Sequence, residues 1–109
     1  MPEVFGNFLI KFINGFYSGE YFNNYQATVN PEGILALTNF EDFVGTFETT
    51  WTESDIPHTS LLTVNRVGDI YTLSWTNVRR SGVNIDVEFD GRGFIRDGIL
   101  NCYYSMRQI

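Results

Sequence analysis

One cysteine in 109 residues excludes an internal disulfide and any zinc site built on paired thiolates. The single histidine, His58, falls in the stretch DIPHTS, which reads as a loop, and a lone histidine excludes a histidine-pair metal centre. No apolar run approaches the ~18 residues of a membrane span. The chain opens MPEVFGN, with an acid where a secretory leader carries a base, and it contains no N-x-[ST] acceptor. A cytosolic location is the expectation. Basic residues are scarce too: between Met1 and Pro57 only Lys11 faces Glu3, Glu20, Glu32, Glu41, Asp42, Glu48, Glu53 and Asp55. With a formal net charge of −6, the chain repels phosphate backbones and anionic lipid, so neither nucleic acid nor a membrane is an expected partner.

What the chain has is aromatic surface. Ten Phe, six Tyr and two Trp make 17% of a composition that is 43% apolar overall, enough for a single globular domain spanning 1–109. The first fifteen residues follow one rhythm and the remainder another. Phe5, Phe8, Leu9, Phe12, Ile13 and Phe16 recur at helical spacing, and Asn14-Gly15 is a plausible stop, so a short N-terminal helix is predicted over 1–15. It needs something to dock on, either the open end of a β-structure or a second subunit.

From residue 16 the period is two. Strands are predicted at 16–23, 25–30, 34–39, 43–51, 59–66, 70–78, 83–89 and 99–105. Turn chemistry separates them at Asn23-Asn24, Asn30-Pro31-Glu32-Gly33, Gly68-Asp69, Ser81-Gly82, Asp90-Gly91 and Asp97-Gly98. About eight short strands with no room for crossover helices imply a mainly β, up-and-down antiparallel sheet. Closure into a barrel over 16–109 is preferred because it removes sheet edges.

Alternation sorts side chains between the two faces of each strand. The inward set comprises Tyr17, Gly19, Tyr21 and Asn23; Phe43, Gly45, Phe47, Thr49 and Trp51; Tyr71, Leu73, Trp75 and Asn77; and Leu100, Cys102 and Tyr104. In the strand 83–89, Val83, Ile85, Val87 and Phe89 fall on one face and acids or amides on the other. A solid interior is filled most cheaply by Leu, Ile and Val, which have no polar atoms to satisfy. Aromatic walls with a few polar tips are instead the character of a ligand pocket. Candidate ligand-binding residues are therefore Tyr17, Tyr21, Phe47, Trp51, Tyr71, Trp75, Asn77 and Tyr104.

Catalytic motifs do not emerge, and no catalytic residue, metal ligand or cofactor is assigned. Nothing in the spacing brings His58, Asp55 and a serine together as a triad. Cys102 lies among aromatics, where an inert buried thiol is expected. The glycines of DGRGF read as turn chemistry, and Glu41-Asp42 as a solvated loop end. Arg79-Arg80, Arg92 and Arg96 near the turns suit either the carboxylate of an acidic ligand or charge balance in an acidic chain.

Three patterns resemble the calycin-type small barrels, the avidin-like ones above all. They are Gly19-Glu20-Tyr21, where that family has Gly-x-Trp; the run Gly68 to Trp75; and Gly91-Arg92-Gly93 followed by Asp97-Gly98-Ile99-Leu100 and Tyr103-Tyr104. The resemblance implies an antiparallel barrel whose mouth holds a small, mainly apolar molecule, often in a homodimer or higher oligomer. It does not extend to biotin, because no Asn-Ser-Tyr set aligns near the first loops. Three functions are thus open. The favoured one is binding of a small hydrophobic or aromatic molecule inside the barrel. A cofactor-free cyclase or isomerase for an apolar substrate needs a buried inward acid, whereas Glu20, Glu48 and Glu88 all face outward by alternation. The third is a protein-interaction module using the aromatic N-terminal helix.

Overall fold

The computed structural model describes residues 4–37 and 42–108, so the end of the predicted 34–39 strand and Glu41 lie outside the described residues. Nine strands run in chain order: β1 (Phe5–Ile13), β2 (Phe16–Asn23), β3 (Asn30–Ala36), β4 (Gly45–Glu53), β5 (Ile56–Val67), β6 (Ile70–Arg80), β7 (Val83–Asn84), β8 (Val87–Arg96) and β9 (Ile99–Gln108). All pair antiparallel in the order β5-β4-β3-β2-β1-β9-β8-β6, and β5 pairs with β6 to close the ring. Eight strands thus form a closed barrel. The two-residue β7 only extends the β6 hairpin.

No helix exists among the described residues, which overturns the N-terminal helix and with it the helix-based interaction module. The segment is instead β1, an inner strand bonded to β2 on one side and β9 on the other. Both of its faces carry apolar residues: Phe8 and Ile10 are buried in the barrel, while Phe5 and Ile13 face out. Apolar residues on two faces mimic a helical stripe. Ile10, which is fully buried, does not belong to that stripe. Asn14-Gly15 stops no helix. Both residues have positive φ (54° and 84°), the signature of a two-residue hairpin turn joining Ile13 to Phe16.

Two further departures share one cause, turn-like residues placed inside strands. Pro31-Glu32-Gly33 belongs to β3, and Gly91 and Gly93 belong to β8. Pro31 is tolerated because β4 pairs with β3 only from Gly33 onward, leaving the missing N–H without a ladder partner to lose. Val83 is 66% exposed on β7, so the inward face predicted for 83–89 holds only from Ile85 onward, where the side chains are half-buried.

The barrel interior divides into two halves. One end, here the lower, carries the hairpin turns at Asn14-Gly15, Gly68-Asp69 and Asp97-Gly98. It is closed by Phe43, which meets Tyr17 edge-on at 5.7 Å, and Tyr17 in turn meets Phe47 at 5.2 Å. Leu62, Val64, Leu73 and Leu100 fill the layers around Phe47. The upper half is different: its inward positions bring polar atoms together.

Candidate functional site

Residue alternation in the pairing registers brings Tyr21 and Asn23 from β2, Glu32 from β3, Trp51 and Glu53 from β4, Trp75 from β6, Phe89 from β8 and Tyr104 from β9 to the upper half. They surround a cavity of about 30 Å³, the size of a water molecule or a small head group. Its walls are aromatic. Phe8 meets Trp75 edge-on at 5.1 Å, Tyr104 lies 5.8 Å from Trp75, and Phe89 lies 6.3 Å from Trp51.

Glu32 is the centre of the polar network. It is buried, and its Oε2 accepts the indole N–H of Trp75 at 3.1 Å. The hydroxyl of Thr49 also bonds to it, and Thr49 Oγ1 lies 2.6 Å from Ser60 Oγ. When Glu32 is ionised Thr49 donates to it and Ser60 donates to Thr49, so ionisation sets the direction of the chain Ser60–Thr49–Glu32. Burial pushes the Glu32 carboxyl up to about 8, with the Trp75 and Thr49 hydrogen bonds opposing the shift. At neutral pH the group mostly carries its proton.

A parallel arrangement sits above it. Trp51 donates its indole N–H to Glu53 Oε1 at 3.0 Å and stacks on His58 at 5.4 Å between centroids. His58 is buried in β5 rather than in a loop. Its Nε2 accepts from Arg80 Nε at 3.3 Å, which leaves Nδ1 to donate to the Ile56 carbonyl at 3.0 Å. The Tyr104 phenol is pushed up to about 12, first by burial, with an Asn23 hydrogen bond opposing. Tyr21, 5% exposed, is raised further by burial and then by Glu53 and Glu32. Its hydroxyl is the one buried side-chain polar atom among the described residues that has no hydrogen-bond partner.

The eight residues singled out by alternation separate into three groups. Tyr21, Trp51, Trp75 and Tyr104 meet around the cavity. Tyr17, Phe47 and Tyr71 lie in the lower half, where the Tyr71 hydroxyl donates to Asp42 Oδ2 at 2.8 Å and Arg66 pairs with the same carboxylate. Asn77 is exposed: between Thr59 and Leu61 the register shifts, and β6 spends two residues, Asn77 and Val78, opposite Ser60 alone. This bulge, with Asn77 at φ 51°, turns Asn77 out and Val78 in. Sequence reasoning missed Glu32, Glu53 and His58. For Glu32 the signal was present, because it shares parity with the inward Ile34 and Ala36.

Cys102 behaves as expected, buried with its thiol donating to the Phe8 carbonyl at 3.2 Å and pushed up to about 12 by burial. The described residues hold no group of three metal-ligating side chains. No described helix is long and apolar enough to cross a membrane. A wider concavity of about 800 Å³ lies on the outside of β2, β1, β9 and β8, walled by Leu9, Phe22, Phe94 and Tyr103. It is open to solvent, and the chain's buried polar groups converge in the upper chamber instead.

Fold and site together define a small closed antiparallel barrel, consistent with the calycin-like and avidin-like architecture, with aromatic clusters inside it. Comparison with protein-family models, with curated proteins and with solved structures found no match.

Proposed function

We propose that the barrel binds a small, mainly apolar or aromatic molecule at its upper end, with a polar head group seated against Glu32 and Tyr21. The observation that carries this reading is the Tyr21 hydroxyl, buried without a partner beside a cavity and a buried carboxyl. An unpaired buried hydroxyl costs about 1–3 kcal/mol, and an apolar side chain would remove that cost. A ligand's donor or acceptor repays it. The cavity admits only the head of such a molecule; the remainder lies toward Val4, Asn23 and Glu53 at the mouth.

Native mass spectrometry of the purified protein should show added mass that departs on denaturation, and its value names the chemical class of the ligand. A bare polypeptide that takes up no member of a panel of small aromatic molecules would instead favour a solid core. Trp75→Leu should abolish uptake while costing about 2–4 kcal/mol of stability, because it removes both a wall and the indole donor to Glu32. Unchanged uptake by a folded variant would remove Trp75 from the site.

A second reading is favoured by Glu32 itself. A cofactor-free cyclase or isomerase needs an inward acid that holds a proton near neutral pH, and Glu32 has that placement and that shift. In this reading Glu32→Gln leaves uptake intact and stops conversion of the bound molecule.

A further inference from the structure

We propose that the head group taken up at this site is a primary ammonium, so that the ligand is a small amine with an apolar or aromatic tail. The inference rests on the binding reading above and deepens it. Its basis is the juxtaposition of two carboxyl side chains, Glu32 and Glu53, on one small aromatic cavity whose described lining contains no lysine, arginine or histidine. Each carboxylate is held by an indole: Trp75 donates to Glu32 at 3.1 Å and Trp51 to Glu53 at 3.0 Å. The arginines of the upper end are engaged elsewhere. Arg80 is bonded to His58, Arg79 to the Gly82 carbonyl, and Arg107 to Glu88 and Asp90.

Glu32, Glu53 and the Tyr21 oxygen all line the cavity, and an –NH3+ group brings three donors. A hydroxyl brings one donor, and an anion brings none and meets two acids. Tyr21, Tyr104, Trp51 and Trp75 also line the cavity, and aromatic rings attract a cation. Size narrows the class further. About 30 Å³ accepts a water-sized ammonium and excludes a trimethylated one, which is several times larger.

Charge linkage supplies an independent readout. Around Glu32 stand Tyr21 from β2 and Cys102 and Tyr104 from β9, Glu53 from β4 lines the same cavity, and His58 from β5 stacks on the Trp51 ring. The phenols and the thiol are raised by burial and stay protonated below pH 9, so Glu32 is the group that must give up a proton when a cation binds. Affinity for an amine then rises with pH, by up to about tenfold per unit, and levels off above the Glu32 pKa of about 8.

The test compares benzylamine with benzyl alcohol, a neutral probe of nearly the same shape, on the intact protein by tryptophan fluorescence and calorimetry at pH 6, 7 and 8.5. Benzylamine should bind at least tenfold more tightly than the alcohol at pH 8.5. The margin should shrink toward pH 6, and calorimetry in buffers of different ionisation heat should show a proton released on binding. Glu32→Gln should remove the pH dependence. Glu53→Gln, a change at a half-buried rim position, should cut the margin about tenfold and covers the case in which the Glu32 variant misfolds. Equal binding of the two probes, or a preference for the alcohol, overturns the ammonium while leaving the ligand pocket standing. Binding of neither probe overturns both. A tenfold margin that ignores pH and survives both substitutions overturns the role of the two carboxylates.

Discussion

Gly93→Ala should cost of the order of 4 kcal/mol or more, beyond the ~1–3 kcal/mol of ordinary overpacking. A Cβ at this position in β8 would lie 1.9 Å from the carbonyl oxygen of Asn101 and 2.5 Å from the Cβ of Cys102. Those atoms cannot retreat easily, because β9 is bonded to β8 on one side and to β1 on the other. The effect is steric, since φ at Gly93 is not positive. Gly68→Ala supplies the contrast: nothing lies within 4 Å, but φ is +63°, so the expected cost is about 1 kcal/mol and purely conformational. Urea titrations of both variants would separate the two mechanisms. A Gly93 variant within 0.5 kcal/mol of wild type, at the order of ordinary surface changes, would mean that β8 and β9 can part, and a closed barrel would not survive that. The chamber would register the change as well, for the neighbouring Gly91 leaves only 3.3 Å between its missing Cβ and the Trp75 ring.

The same two glycines show where reading the sequence succeeds and where it stops. Alternation correctly places Tyr17, Gly19, Tyr21 and Asn23 along β2, and Phe47, Thr49 and Trp51 along β4, because those strands are regular and have one clear apolar face. It carries β6 as far as Trp75 and fails at Asn77, where the bulge adds a residue that no local pattern announces. Glycine and proline are ambiguous signals. In Asn30-Pro31-Glu32-Gly33 and in Gly91-Arg92-Gly93 they mark close approach of neighbouring strands, not chain reversal. The cost of that ambiguity fell on the most consequential residue. With Glu32 read as part of a turn, the sequence offers no inward acid, and the barrel reads as more apolar than it is. The N-terminal segment failed for a different reason. A strand with apolar residues on both faces has no period of two to detect, and Asn14-Gly15, read as a helix stop, is in fact its hairpin turn.

Between pH 4.5 and pH 8 the wild-type protein should lose stability as pH rises, by an amount approaching 4–5 kcal/mol, and Glu32→Gln should abolish that loss. The sign follows from the raised carboxyl: the folded state holds the Glu32 proton up to about pH 8, whereas the unfolded chain releases it near 4.5. Over that window the folded state binds more protons than the unfolded one, so each pH unit disfavours folding by up to about 1.4 kcal/mol. Below 4.5 both states are protonated and the two proteins should be about equally stable. Above 8 the variant should exceed wild type by the full difference, because glutamine keeps an acceptor for the Trp75 indole without a charge to bury. Urea midpoints across this range, taken as the difference between the two proteins, isolate Glu32 from the exposed ion pairs Lys11–Glu20, Arg66–Asp42 and Arg107–Glu88, which both proteins retain. A constant difference would mean that water reaches the carboxyl and that its ionisation is cheap. The buried head-group site would then lose its basis, and so would the pH-dependent preference for an amine. A difference that grows with pH and shrinks when benzylamine is added would tie the two together: the ionised Glu32 that destabilises the empty barrel is the one that the ammonium needs.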